Sequence, residues 1–328
     1  MKLPTSSKLW LSLECSGWHT VESPPVIPST GVNKAAAFGT YMHLVAENET
    51  LRRYDQSRLS EISRVMTAEQ EAVFNPHYTD EIGAPMDSAE WGASVVAIQD
   101  ELFKILPPND GQNIGVELVV VNYGPEFAMS KTFPGAGARN YAVSDIVGVY
   151  GTSDLVYDSG NDLVVVDWKT GREAVSPYAN PQLIHIAKAV STGRKPDTVV
   201  WLVIGDIRNQ DLKVAKTTVG AILLDWGKIA KTVLSGSKET LKPGVHCDRC
   251  PNAGTCPALL GKVKVAAEGN TSGLSNDEMA AIAIMARKVN KEYRDLLVYR
   301  AENDPDFKCS YLTKGSNGWR LSAFDSKK

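Results

Sequence analysis

The sequence predicts an α/β fold, and three observations carry that prediction. Two apolar runs rich in Val and Tyr, Asp154–Tyr157 and Leu163–Val166, flank the turn-forming cluster Asp158-Ser-Gly-Asn161, which reads as an antiparallel hairpin. A strand over Asn113–Val121 precedes it. A helix entered through Pro181, a buried strand over Val199–Ile207 and an amphipathic helix over Val219–Leu234 follow. Strands interleaved with helices in this order call for helices packed on a sheet. With 328 residues, 43% of them hydrophobic and 22% charged, the chain is long enough for one large domain or two small ones around a sizeable core.

The elements justify themselves in order. Residues 1–33 read as irregular apart from a short apolar stretch, Lys8–Leu13, opened by Ser6-Ser7; Pro24, Pro25 and Pro28 forbid a continuous helix after it. From Lys34 to about Tyr54 the pattern is helical, and His43 and Glu47, four apart, share a face. Residues 55–110 read as a helical insertion, with helices over Thr67–Phe74 and Ser88–Leu106 closed by Pro107-Pro108. Glu117 interrupts the apolar face of the strand that follows. The glycine-rich Gly135–Arg139 lacks the pattern of a nucleotide cradle and reads as a turn. Asp145, placed on the strand leading to Asp154, is a rival acid.

The hairpin concentrates the chemistry. Period-2 geometry puts Leu163, Val165, Asp167 and Lys169 on one face. A turn centred near Ser159 and Gly160 places Asp154 across from about Val165, with Asp167 a diagonal neighbour. Two carboxylates and an ammonium then converge. The carboxylates repel unless a cation sits between them, and their hard oxygens suit Mg²⁺ or Mn²⁺. A metal-bound water beside an ammonium is the equipment for cutting a phosphodiester.

The ordered set Gly151-x-x-Asp154, Val166-Asp167-Trp168-Lys169-Thr170-Gly171 and Gln182 resembles the core of the PD-(D/E)XK nucleases, in particular the RecB-like branch that includes CRISPR adaptation nucleases and phage-encoded relatives. The resemblance implies a restriction-endonuclease-like core, a central mixed sheet flanked by helices, and metal-dependent hydrolysis of nucleic acid. Gly39-Thr40-x-x-His43-x-x-x-Glu47 resembles the first-helix motif of the branch. On this resemblance Asp154, Asp167, Lys169 and Gln182 are the catalytic set. The metal falls to His43, Asp154, Asp167 and the main-chain carbonyl of Trp168, with Glu47, Glu117 and Tyr178 as secondary candidates. The family's Gln-x-x-x-Tyr pair is incomplete, because Ile186 stands in the tyrosine position; Tyr178, one turn earlier, is the candidate substitute.

Net charge of −3 gives no global signal for a nucleic-acid partner, so local patches and metal must supply the attraction. No run of 18 apolar residues exists and the N-terminus lacks a signal-peptide core, so no membrane partner and a cytoplasmic location are expected, the host cytoplasm if the chain is phage-encoded. Five cysteines, an odd number, argue against a disulfide framework. Cys247-x2-Cys250-x5-Cys256 gives three soft ligands and Cys15 can be the fourth. The resemblance extends to this order, one cysteine before and three after the core, which in the branch holds a [4Fe-4S] cluster; His246 keeps a Cys3His zinc site as the alternative.

Ser275-Asn-Asp-Glu278 signals a helix start and opens a basic amphipathic helix to about Ala301, and Phe307–Ala323 reads as a terminal hairpin. The expected organisation is a nuclease domain over 1–262, containing the insertion and the cysteine clasp, and a C-terminal extension over 263–328. The expected function is a metal-dependent DNA nuclease, an exonuclease acting on DNA ends or single strands in phage recombination, repair or replication. The alternative is a non-catalytic DNA-end or partner-binding protein that keeps the fold.

Overall fold

The computed structural model describes residues 3–23, 39, 42–43, 45–47, 49–52, 88–105, 114–133, 145–170, 175–269, 272–304, 312–315 and 318–321. The expected helix over Thr67–Phe74 and the glycine-rich turn at 135–139 lie outside the described residues, as does Cys309. The chain divides into two compact units, one of Lys2–Leu13 with Asn33–Ser235 and one of Met1, Glu14–Val32 and Gly236–Lys328.

The first unit is built on a six-stranded mixed sheet. Its strands are β1 (Ile114–Tyr123), β2 (Met129–Phe133), β3 (Gly148–Asp158), β4 (Asp162–Lys169), β5 (Val199–Asp206) and β6 (Asp211–Thr218), in the spatial order β2-β1-β3-β4-β5-β6. Only β4 and β5 run parallel, and helix α3 (Pro181–Val190) joins them. That connection forms a β-α-β unit, the usual way to bring two strands parallel. Before it in the chain come α1 (Leu9–Glu14), preceded by a 3-10 turn at Ser6–Lys8, and α2 (Ser88–Ile105); α4 (Val219–Leu234) follows β6.

Alternation along β4 sorts its side chains into two cores. Leu163 and Val165 join Val156, Leu183, Ile186, Ile222 and Trp226 under α3 and α4. Val164, Val166 and Trp168 join Met42, Ala46, Val95, Ile98 and Leu102 on the opposite face. The α/β expectation holds: the sheet is a middle layer between helices. On α4 the buried residues Val219, Ile222, Trp226, Ile229, Ala230 and Val233 recur at helical spacing, and the Thr218 hydroxyl accepts the Ala221 N–H at 3.3 Å to cap its start.

The hairpin register differs from the expected one. Asp158 pairs with Leu163 and Leu155 with Val166, so the next step along the ladder sets Asp154 across from Asp167 rather than Val165. The turn is centred between Gly160 and Asn161, one residue later than expected, and each one-residue shift of the centre moves the register by two. Asp145 is another correction: it is exposed and precedes β3, which starts at Gly148. The edge strands β2 and β6 escaped the sequence reading because their half-exposed sequences, Met-Ser-Lys-Thr-Phe and Asp-Leu-Lys-Val-Ala-Lys-Thr-Thr, lack an apolar run.

The second unit holds α5 (Pro257–Ala267), α6 (Asn276–Asn303) and a hairpin of β7 (Leu312–Gly315) and β8 (Gly318–Leu321). Ser275 and Glu278 form the expected capping box: the Ser275 hydroxyl accepts the Glu278 N–H at 3.2 Å and the Glu278 carboxylate accepts the Ser275 N–H at 2.9 Å. Buried Ala281 and Met285 face inward, and Arg287 pairs with Asp248 at 2.7 Å. No helix among the described residues is long and apolar enough to cross a membrane.

Candidate active site

The site forms where β3 and β4 pass the start of α3. Asn180 caps that helix, its side-chain oxygen accepting the N–H groups of Gln182 at 3.0 Å and Leu183 at 3.2 Å, and Pro181 fits the first turn. The cap fixes Gln182 in the first turn, facing β4. Its amide then bridges the acid and the base of the hairpin: Nε2 donates to Asp167 Oδ1 at 2.9 Å and Oε1 accepts from Lys169 Nζ at 3.2 Å. Lys169 Nζ also lies 2.5 Å from Asp167 Oδ2.

Asp154 is held from two sides. Its Oδ2 accepts the main-chain N–H of Trp168 at 2.7 Å, and its Oδ1 lies 3.1 Å from His43 Nδ1. His43 is positioned by its neighbours, because Met42 and Ala46 bury into the core on the far face of the sheet. Trp168 is locked as well: its ring lies over Gly205 of β5, where any Cβ would overlap ring atoms. Gly151 has a similar reason, since a Cβ there would stand 2.5 Å from the Ser6 Cβ and 3.0 Å from His185 Nδ1.

The electrostatics separate the two acids. Burial pushes Asp154 toward the neutral form, but the charge and hydrogen bond of His43, the Trp168 N–H and Lys169 outweigh it and hold its carboxyl below the ordinary range. Asp167 is raised, because burial and then the repulsion of Asp154 exceed what Lys169 returns. Two acids whose environments push them apart in this way are common at functional sites.

Together Asp154, Asp167, Lys169, Gln182 and His43 line one cavity of about 260 Å³, with Thr5, Ser6, Ser7 and Thr152 completing its wall. Five of the residues expected from the sequence are thus brought together. Glu47 is buried one turn beyond His43 and does not line the cavity. Tyr178 is 74% exposed and does not line it either. Glu117 lies on β1 between Val116 and Leu118, whose partners are Leu155 and Ser153, which sets it at the register position across from Asp154. Ile186 is fully buried in the core under α3, so an aliphatic side chain at that position serves packing. The hydroxyl wall was missed, although Ser6-Ser7 stood in the sequence as a helix opening; nothing local in a Ser-Ser pair says which part of a sheet it will meet.

A model of the PD-(D/E)XK nuclease superfamily matches residues 14–257, more than half of the chain. The chain belongs to the PD-(D/E)XK nuclease superfamily. No curated protein matches it. Membership implies metal-dependent nuclease activity, hence phosphodiester hydrolysis, with DNA as the substrate and Mg²⁺ or Mn²⁺ as the metal. Among the described residues no group of three or more His, Cys, Asp or Glu side chains is placed to hold a metal ion. The donors nevertheless suit a PD-(D/E)XK metal. Oδ2 of Asp167 is buried, with the Lys169 ammonium 2.5 Å away as its ion-pair partner. Each carboxylate oxygen of Asp154 keeps a second lone pair.

In the second unit of this PD-(D/E)XK chain, Cys15, Cys247 and Cys250 are buried and Cys256 is half-buried. Main-chain N–H groups of Lys242 and Gly244 donate to Cys15 Sγ at 3.3 Å and Cys247 Sγ at 3.4 Å. Burial pushes the Cys250 thiol up to about 11, helped by the nearness of Cys247, Cys15 and Cys256.

Proposed function

We propose that the protein is a metal-dependent DNA exonuclease of the RecB-like branch, in which Asp154 and Asp167 hold the catalytic metal, Lys169 assists the attacking water and Gln182 orients both. The observation that carries this reading is the convergence of Asp154, Asp167, Lys169 and Gln182 on one buried, polar cavity. His43 and the main-chain carbonyl of Trp168 would be further ligands of the metal. When bound, the divalent ion supplies Lewis acidity toward the phosphate and lowers the pKa of a bound water.

The protein's own groups do the rest. The Trp168 N–H fixes the plane of the Asp154 carboxylate, and His43 steadies its charge. Gln182 reads polarity: its N–H₂ end faces the carboxylate of Asp167 and its oxygen accepts from Lys169 Nζ, so the amine is aimed beside the reacting phosphate. An ammonium there orients the water and stabilises negative charge developing on the phosphate, and in-line displacement leaves a 5′-phosphate and a 3′-hydroxyl. Ile186, in the family's tyrosine position, lies in the core outside the cavity wall, so this reading rests on Gln182 without the tyrosine contact. Action at DNA ends, in phage recombination, repair or replication, is favoured because the sequence offers no recognisable base-reading module.

The cysteines hold a [4Fe-4S] cluster in this reading. What supports it is the order of the four cysteines and the burial of Cys15, Cys247 and Cys250, with Cys15 and Cys247 accepting main-chain N–H groups. The role is structural, clasping residue 15 to the segment 247–256.

The test is digestion of end-labelled linear DNA in Mg²⁺ or Mn²⁺ beside Lys169→Ala. Stepwise shortening by the wild type and a loss of about 10²-fold or more in the variant are expected; no cutting in either metal overturns the reading. An anaerobic preparation with iron, sulfide and a brown colour is expected, and a colourless one carrying stoichiometric zinc overturns the cluster.

A further inference from the structure

The cavity that holds the acids also holds four hydroxyl-bearing residues, Thr5, Ser6, Ser7 and Thr152, that belong to none of the motif positions. Thr152 is the informative one. It is 8% exposed, it lines the cavity, and its Oγ1 is buried without a hydrogen-bond partner among the described residues. A buried hydroxyl left unpaired is costly, and proteins tolerate one where something else satisfies it.

Its place on the strand says what that is. Thr152 precedes Asp154 by two residues on β3, so both side chains emerge on the same face about 7 Å apart. Successive phosphates along a nucleic-acid strand are separated by a similar distance. Opposite, the N-terminal turn supplies two more hydroxyls, with Thr5 Oγ1 and Ser7 Oγ 3.4 Å apart, loose enough to part for a ligand oxygen. Ser6 is different: it is buried, with Oγ directed at the Gln182 carbonyl at 3.4 Å and Cβ filling the space left by Gly151, so it braces the turn.

We propose that Thr152, with Thr5 and Ser7, forms a subsite for the phosphate adjacent to the one being cut. This rests on the nuclease reading and deepens it. The subsite is uncharged and donates hydroxyl hydrogen bonds to a phosphodiester's non-bridging oxygens, fixing the register of the strand so that the scissile phosphate arrives at Asp154 and Asp167. These are positioning residues, since none touches the reacting atoms.

The experiment compares full-length wild type, Thr152→Val, Thr152→Ser and Ser7→Ala on end-labelled DNA in Mg²⁺ or Mn²⁺. A parallel substrate set carries a single neutral methylphosphonate on one or the other side of the cleaved bond. Thr152→Val is expected to raise KM about tenfold with kcat within about twofold, and Thr152→Ser to restore KM. Its melting temperature should not fall, because no protein hydrogen bond is lost. In the wild type one flanking methylphosphonate should impose a KM penalty that disappears in Thr152→Val. Unchanged KM in Thr152→Val, or an equal penalty in both proteins while unmodified DNA is still cut, overturns the subsite alone. A wild type that cuts no DNA in either metal overturns the nuclease reading and the subsite with it.

Discussion

Oδ2 of Asp154 accepts the main-chain N–H of Trp168 at 2.7 Å, a bond between a side chain of β3 and the backbone of β4. A carboxylate expected to hold a metal thus also satisfies a buried donor at the point where the hairpin ladder stops. The two duties are separable by mutation. Asp154→Asn keeps an oxygen for the Trp168 N–H but loses the charge, so nuclease activity should fall by about 10²-fold or more while the urea midpoint shifts little. Asp154→Ala leaves that N–H unpaired and should also cost about 1–3 kcal/mol of stability. Denaturation and digestion of the two variants side by side check this, and equal stability losses would refute the split.

Two glycines are fixed by what occupies the space beside them. Gly151→Ala would drive a methyl to 2.5 Å from Ser6 Cβ, and Gly205→Ala would drive one into the Trp168 ring. Neither neighbour has room to retreat, since Ser6 is 2% exposed and Trp168 1%. Each substitution should cost about 1–3 kcal/mol, and Gly151→Ala should reduce activity further by displacing the N-terminal turn from the cavity wall. Thermal melts with and without DNA give the comparison; wild-type stability in both variants would contradict the packing described.

These cases also show what was legible in the sequence. The hairpin, the faces of β4 and the approach of Asp154 to Asp167 and Lys169 follow from period-2 alternation and turn residues, which are local signals, whereas Gln182 joins them only through the family resemblance. The register was off by two because several residues in Asp158-Ser-Gly-Asn161 can each centre a turn, and the choice is made by the strands on either side. The role of Gly151 was visible only as a motif letter, because its neighbours Ser6 and His185 are distant in sequence. The same holds for the hydroxyl wall, and for β2 and β6, whose edge positions remove the apolar pattern that marks a strand.

Asn252 offers a test inside the second unit. Its Nδ2 donates to the carbonyls of Trp18 at 3.0 Å and Val21 at 3.1 Å, tying the segment after Cys15 to the one after Cys250. Asn252→Ala removes both bonds, leaving the Trp18 carbonyl only the Val21 N–H at 3.4 Å and the Val21 carbonyl without this donor, and should cost about 1–3 kcal/mol. Asn252→Asp should cost more, because a carboxylate has no donor to offer and would confront two acceptors. Urea unfolding of the three proteins ranks them; an aspartate variant as stable as wild type would show the bonds to be unimportant.

His185 sets an acid limit on stability. Its ring is fully buried beneath α3, and Nε2 donates to the Val149 carbonyl at 2.9 Å, so Nδ1 carries no proton in the neutral ring. Burial, and then the charge of Lys188, pull its pKa down from 6.5 to about 4, against the opposing hydrogen bond to Val149. Between those values the unfolded chain binds a proton that the folded one refuses, so stability is intact above pH 6.5 and is lost as pH falls toward 4. From pH 7 to pH 5 the loss assigned to this residue is about 2 kcal/mol. A His185→Gln variant has no such proton to take up, so its unfolding free energy should change less over that interval by about that amount, whatever its absolute stability. Urea denaturation of both proteins at pH 7 and pH 5 measures the difference, and parallel losses would assign the acid sensitivity to other groups.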